Sequence, residues 1–319
     1  YHCKEVWAFT ECSAGGKDCK CRMIQMNHSR KDNGIKTWGT CKEKGRGMKI
    51  HKSAIVHPNA VLGNEVEIGP FSVIGKDVAI GEGTVVLNNV TVVGNTTLGR
   101  SNIIHPNAVL GAEPQDLKYR GERTSLVLGD NNVVREGVTI NIGTAGGGEK
   151  TIIGDNNFFM ACSHIAHDCI IEDNVLLANG VLLGGHVMVE KGAKLMGLVG
   201  IQPFVTIGRY AYVGGHTRIV QDVPPYVIIE GHPAKLRQVN IVGLEREGFS
   251  KAQINEIKEA FRTLFRSGEL NKSKILEEME RKEDRSPEVK YLVAFLRNIT
   301  KGKFGRYRES FRYPTVAAT

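Results

Sequence analysis

The chain has 319 residues, enough for one large domain or two ordinary ones with a real core. Glycine supplies 37 residues and aromatics only 7%, an unusual balance, while 41% hydrophobic and 24% charged residues exclude disorder over most of the length. No stretch approaches the ~18 uninterrupted apolar residues of a membrane span, and the formal charge of +8 suits a nucleic-acid partner only if it is carried by the folded domain.

Much of that charge lies in residues 1–47, which hold ten Lys or Arg against five Asp or Glu. The same segment holds both tryptophans and five of the seven cysteines (Cys3, Cys12, Cys19, Cys21 and Cys41). It has no apolar stretch of the secretory kind, its acidic residues do not fit a transit peptide, and Cys19-Lys20-Cys21 has the wrong spacing for a zinc knuckle. Lys42 to Gly47 can be encoded by an almost purely purine stretch directly before Met48, as a ribosome-binding site translated in frame would read. The expectation is that Met48 is the start and that 1–47 is an extension outside the native protein. From Met48 onward the net charge is +3 (32 basic minus 29 acidic), which removes the support for a nucleic-acid partner. Cys162 and Cys169 then suit a reducing, cytoplasmic setting.

A six-residue repeat decides the fold. Ile50, Val56, Leu62, Ile68, Ile74, Ile80, Val86, Val92, Leu98, Ile104 and Leu110 follow one another at every sixth position. Glycine often comes next (Gly63, Gly69, Gly75, Gly81), and the fifth position is often small or β-branched (Ala54, Ala60, Ser72). The register resumes at Leu128, slips by one in Gly146-Gly147-Gly148, and runs on from Ile153 to Ile219. A period of six is a short strand plus a sharp turn, and three such units close a triangular coil of 18 residues with aliphatic side chains inside. The fold expected is an all-β solenoid, a left-handed parallel β-helix of hexapeptide repeats over 48–222. Two insertions interrupt it, Ala112 to Val127 and Thr144 to Lys150, and such excursions often line a binding face.

After Asp222-Val223-Pro224-Pro225 the period ends, and an α-helical C-terminal domain is expected over 223–300. Ser250 reads as an N-cap before the apolar stripe Ile254, Ile257, Ala260, Phe261, Leu264 and Phe265. Ser286-Pro287-Glu288 starts a second helix. Residues 301–319 form a basic tail, and Arg297 to Arg312 carries six basic residues against one acidic, either a solvated face or a contact for an acidic partner.

The chemistry sits in three hexads spaced by 18, those of Ile165, Leu183 and Ile201. Their period puts His167, His186 and Gln202 at one corner of three consecutive coils. Asp168 beside His167 can support an imidazolium, so His167 suits a general base, and the N–H of Gly185 can serve a developing oxyanion. Outward histidines on neighbouring coils could also bind zinc across a subunit interface. His57 and His105, each in His-Pro-Asn-Ala-Val, read as turn chemistry, and His216 lies on another face.

From Ile50 to about Arg297 the chain resembles the acyl-(acyl-carrier-protein)–UDP-N-acetylglucosamine O-acyltransferases, the family that opens lipid A biosynthesis. The segments that carry the resemblance are Gln115-Asp116-Leu117-Lys118-Tyr119, His164-Ile165-Ala166-His167-Asp168-Cys169, Leu183-Gly184-Gly185-His186-Val187, Gln221-Asp222-Val223-Pro224-Pro225-Tyr226, Gly243-Leu244 and Gly248-Phe249-Ser250. It implies transfer of a 3-hydroxyacyl group from acyl carrier protein to the sugar 3-hydroxyl, with no cofactor and no metal. In that reading His167 is the base, Asp168 orients it and Gly185 holds the oxyanion. His186 and Asp116 would contact the sugar or acyl chain, Lys118 the substrate groups near the insertion, and Asn240 and Arg246 the nucleotide phosphates. His164 and Gln202 join the substrate-binding positions, and Gly215 falls where the family sets acyl length. A homotrimer with its sites between subunits is implied as well.

The chain departs from the family pattern at three places: Gln202-Pro203-Phe204 replaces His-Gln-Phe, Arg246-Glu247 replaces a pair of arginines, and Asn141 stands where a histidine is common. Other readings are transfer to the 3-amino sugar analogue, a sister enzyme acting on the glucosamine amine, a carbonic-anhydrase-like zinc β-helix, and a purely structural β-helix. The sister enzyme carries a globular uridine-binding domain that 1–47 is too short to form. The zinc enzyme wants three histidines, and Gln202 removes one from the corner. Against the structural reading stand His167-Asp168 and the Gln115-Asp116 insertion.

Overall fold

In a computed structural model of the chain, residues 7–9, 23–25, 47–266, 272–282 and 284–311 are described. The chain divides into two compact units, 1–46 and 47–319. Of the first, Trp7–Phe9 pairs antiparallel with Met23–Gln25; the expectation that 1–47 is an extension falls outside the described residues.

From Ile50 onward each hexad becomes a strand of about two residues whose second member points inward. Ile74, Val92, Leu110, Ile140, Ile165 and Leu183 are all fully buried this way. The strands form three parallel sheets, the faces of a prism. The first face runs from Lys49–Ile50 to Tyr212–Val213, the second from Ile55–Val56 to Arg218–Ile219, and the third from Val61–Leu62 to Thr206–Ile207. Successive coils pair 18 residues apart, Ile165 with Leu183 and Leu183 with Ile201. Parallel pairing buried on one side wants aliphatic, β-branched side chains, which explains the poverty in aromatics. Phe159 nevertheless fits inside the prism, fully buried.

The glycine that follows the aliphatic residue serves close approach rather than an unusual φ: a Cβ on Gly81 would lie 2.6 Å from the carbonyl carbon of Gly99 in the next coil. Positive φ belongs to a different corner position, occupied in succession by Asp168 (59°), His186 (64°) and Phe204 (68°). Buried corner donors are met by side chains. Ser72 Oγ accepts from Val90 N at 3.1 Å and donates to Leu87 O at 2.6 Å. Asn102, Asn132 and Asn157 form a ladder in which each Oδ1 accepts the next backbone N–H at 2.8–2.9 Å.

Two boundaries differ from the expectation. The first insertion is shorter than Ala112 to Val127: strand Val109–Ala112 precedes it, strand Ser125–Leu128 follows it, and Leu126 is fully buried. Leu128 pairs with Leu98 on the third face, while Leu110 pairs with Ile140 on the second. The excursion of 113–124 equals two hexads, so the phase of the repeat survives, but Leu128 stands on the third face, the next one round the prism, and not above Leu110 on the second as a spacing of 18 implies. Residues 223–239, expected in the helical part, extend the first face instead, through Val227–Glu230 and the antiparallel Lys235–Val239. Among the described residues four α-helices follow: α1 (Ile241–Arg246), α2 (Lys251–Arg266), α3 (Lys272–Arg281) and α4 (Pro287–Lys301). Ser250 and Gln253 make a reciprocal capping box at the start of α2, as the sequence suggests. Ile254, Ile257, Ala260, Phe261 and Leu264 of α2 and Val289, Leu292 and Val293 of α4 are buried. Tyr291 of α4 donates to Glu190 of the β-helix, and the Arg209 guanidinium lies 3.5 Å from its ring centroid. No helix of the described residues is long and apolar enough to cross a membrane.

Phe159→Ala should cost about 3–5 kcal/mol of unfolding free energy in denaturant titration, since the prism cannot collapse around the lost ring; a loss below about 1 kcal/mol would show that its neighbours are loosely packed.

Candidate active site

The edge between the second and third faces collects the unusual residues. One coil turns there through Ala166-His167-Asp168-Cys169, the next through Gly184-Gly185-His186-Val187, and the third through Gln202-Pro203-Phe204-Val205. Both insertions leave the prism at this same edge, 113–124 and the glycine loop around the short helical turn Ala145–Gly147. The stacking of coils therefore brings Asp116, Lys118, His167, Gly185, His186 and Gln202 to the wall of one open cavity of about 770 Å³.

Asp168 is the buried centre of the site. Its Oδ1 accepts Thr144 N at 2.8 Å, and its Oδ2 accepts Thr144 Oγ1 at 2.6 Å and His167 Nδ1 at 2.7 Å. The Asp168 N–H donates to Thr151 Oγ1 at 2.9 Å. Burial alone would raise the Asp168 carboxyl, but the hydrogen bonds from His167 and Thr144 outweigh it and hold it below the usual carboxylate range. An ionised Asp168 can only accept, so the proton of neutral His167 sits on Nδ1 and the Nε2 lone pair is the free one. The nearest acid across the cavity is Asp116, with Oδ2 3.9 Å from Nε2. Gly147 of the glycine loop presses against this carboxylate, where any Cβ would lie 2.0 Å from Asp168 Cγ.

Gly185 faces the same imidazole. A Cβ there would lie 2.5 Å from His167 Cε1 and 2.6 Å from Nε2, so only glycine leaves room beside Nε2. The Gly185 N–H donates to no acceptor among the described residues. His186 stacks flat on Phe204 (4.3 Å between centroids, 6° between planes) and meets His167 edge-on at 5.1 Å. Burial, helped by the charges of His167 and Arg308 and opposed by Asp168, lowers His186 to about 4, so it is neutral at physiological pH. Cys169 donates to Gly184 O, and burial pushes its thiol up to about 12, which excludes it as a nucleophile.

Four residues named from the sequence lie elsewhere in the chain. His164 projects from the second face and pairs with Thr139 Oγ1 at 2.7 Å. Gly215 follows strand Tyr212–Val213 at the edge between the first and second faces. Asn240 is the cap of α1: Oδ1 accepts Gly243 N at 3.2 Å, and Nδ2 donates to Tyr210 O at 2.9 Å. Arg246 ends α1, and its neighbour Glu247 pairs with Lys194 at 3.2 Å. Thr144, Tyr119 and Phe204, to which the sequence gives no site role of their own, also join the wall, and so does the start of the basic tail, where Arg306, Arg308 and Phe311 line the cavity. Two hydrogen bonds seat that tail: Asp222 N donates to Gly305 O, and Tyr307 N donates to the Asp222 side-chain Oδ2. Among the described residues His167, Asp168 and His186 are the group able to hold a metal, with ligand atoms within 4.8 Å of one another. Both Asp168 oxygens are already engaged by protein donors, an arrangement that suits proton transfer better than ligation.

A prism of hexapeptide coils with a His–Asp pair, an N–H free of acceptors among the described residues and an open cavity on one edge fits the transferases of the left-handed β-helix class. The model of bacterial transferase hexapeptide repeats matches residues 150–185, and that of the second domain of UDP N-acetylglucosamine O-acyltransferase matches 222–304. The chain belongs to the acyl-(acyl-carrier-protein)–UDP-N-acetylglucosamine O-acyltransferase family. A relative of that name from Aliarcobacter butzleri is 43% identical over 256 residues, 79% of this chain and 96% of the relative. One from Gloeothece citriformis is 47% identical over 155 residues, 49% of this chain. The alignments span about half the length of that relative and of one from Synechocystis, 55% and 44%. Among solved structures, the UDP-N-acetylglucosamine acyltransferase of Bacteroides fragilis is 39% identical with a TM-score of 0.75, covering 78% of this chain and 96% of that one. The Arabidopsis enzyme is 37% identical with a TM-score of 0.70, over 78% and 96%.

Gly185→Ala should displace the His167 ring and lower activity at least about 100-fold with the melting temperature nearly unchanged; an active variant would show that the ring has room to move. His186 should titrate near pH 4 by NMR. Because the unfolded chain binds this proton more tightly, near the ordinary value of about 6.5, His186 lowers stability as pH falls from about 6.5 toward 4. Asp222, raised to about 6 by burial, opposes that trend between about 4 and 6. A His186 midpoint above 6 would contradict the description of this pocket.

Proposed function

We propose that the protein transfers a 3-hydroxyacyl group from the thioester of acyl carrier protein to the 3-hydroxyl of UDP-N-acetylglucosamine, in the cytoplasm and as a homotrimer. The observation that carries this reading is the His167–Asp168 bond of 2.7 Å, with Nε2 turned to a cavity where Gly185 offers an uncommitted N–H. His167 Nε2 takes the proton of the sugar hydroxyl as its oxygen attacks the thioester carbonyl. The negative charge that develops on the carbonyl oxygen is met by Gly185 N–H, and the Asp168 carboxylate stabilises the imidazolium. Collapse of the tetrahedral intermediate breaks the carbon–sulfur bond, and the thiolate takes the proton back from His167. No step needs a cofactor.

Neutral His186, held on Phe204, exchanges hydrogen bonds with the substrate without adding charge beside His167. Asp116, close to Nε2 across the cavity, accepts from a sugar hydroxyl, and Lys118 and Gln202 bind polar groups from the two sides. Gly215 and Arg246 lie away from this cavity within one chain, so their assigned roles in acyl length and phosphate binding require a neighbouring copy. Asn240, engaged as a cap, acts there by placing α1. Leu117, 94% exposed at the tip of the insertion, suits a surface completed by another subunit. Unpaired Cys162 and Cys169 suit a reducing compartment.

His167→Ala should lower acyl transfer by about 10³-fold or more while oligomeric state and melting temperature persist. Asp168→Asn should lower kcat by about 10²-fold or more, through the wrong tautomer at His167. Full activity of either variant refutes the assignment. Chelator-treated protein should retain its rate, and a loss restored by zinc would favour the metal reading.

A further inference from the structure

The match to the family's second domain ends at residue 304, yet the chain continues and lines the catalytic cavity with Arg306, Arg308 and Phe311. The two arginines differ in how they are satisfied. Arg306 is fully engaged: Nε and Nη2 bond Glu309, and Nη1 donates to Val220 O at 2.8 Å. Arg308 is not. Its Nε donates to the His186 carbonyl at 3.0 Å, and Nη1 has only a weak contact with Met188 Sδ at 3.8 Å. Asp168 and Asp222 act on it from beyond ion-pair distance, and among the described residues no carboxylate pairs with it. Residues 312–319 contain no Asp or Glu.

A half-buried guanidinium without a counter-ion is costly to keep, and loss of solvation pushes Arg308 down from its ordinary value. The tail is nonetheless built to hold it there. The bonds of Gly305 and Tyr307 to Asp222 seat the chain on either side, and the bond to His186 O aims the fork along the cavity wall.

We infer that Arg308 is an anion subsite of the catalytic cavity that binds a phosphate group of a substrate, supplied by the chain beyond the family match. This rests on the reading of function above, in which both substrates carry phosphate: the diphosphate of the sugar nucleotide and the phosphodiester of the carrier's phosphopantetheine arm. A planar fork with free N–H groups suits either one.

Steady-state kinetics with each substrate varied in turn, on wild type, Arg308→Gln and Arg308→Lys, tests this. Arg308→Gln should raise the KM of one phosphate-bearing substrate about 10- to 100-fold with kcat within about threefold. Arg308→Lys should recover part of the loss. The substrate whose KM moves identifies the phosphate. A merely structural role, through the bond to His186, would lower kcat instead and would overturn the inference, as would unchanged KM values for both substrates. If Arg308→Gln does not fold, Arg308→Lys decides: an unchanged KM overturns the inference and a raised one supports it. If the wild type transfers no acyl group, the functional reading fails on its own. Calorimetric titration with inorganic pyrophosphate then decides the subsite, weaker binding by Arg308→Gln supporting it and equal binding removing it.

Discussion

The Asp168 carboxylate accepts three hydrogen bonds from two parts of the chain that are distant in sequence, the glycine loop through Thr144 and the corner through His167. Burial makes this charge expensive, and the bonds make it affordable only while both partners stay in place. Several features follow from that constraint. The loop must approach closely, hence Gly147; the residue must turn in the left-handed region, hence the 59° φ; and His167 must present Nε2 outward. The polar knot therefore ties the insertion to the prism and sets the tautomer of His167 at once.

The prism supplies the geometry that this knot exploits. Eighteen residues per coil superpose every third hexad, so a residue type repeated at one corner becomes a column. The His167, His186 and Gln202 corner is such a column, and both insertions open onto it. A solenoid has no deep interior cleft, and an active site on an edge needs walls from elsewhere. Here they come from residues 113–124, from the glycine loop and from the returning tail.

The period of six and the stacking of the three corner turns were legible in the sequence, because the aliphatic residues recur without interruption and their spacing translates directly into position. The extent of the first insertion was not. Twelve extra residues preserve the phase of a six-residue repeat, so Leu128 reads as if it shared a face with Leu110, 18 residues earlier, although it lies on the next face. Thr144 was equally hidden, since only the slipped register marks its loop and nothing local indicates a bond to Asp168. Asn240 shows the converse. Its residue type invites a phosphate contact, and what the sequence does not mark is that the same amide caps α1. Arg308 had no periodic neighbour to place it; its basic run reads as a solvated face or a contact for an acidic partner until Asp222 is seen holding the backbone beside it.

The most direct measurement is the product itself. Purified protein is incubated with a 3-hydroxyacyl carrier-protein thioester and UDP-N-acetylglucosamine, and the product is identified by mass spectrometry and NMR. A single ester on the sugar O3, formed with release of the free carrier thiol, is the predicted result. Consumption of the 3-amino analogue alone, or no acylated sugar nucleotide from the folded protein, would contradict it.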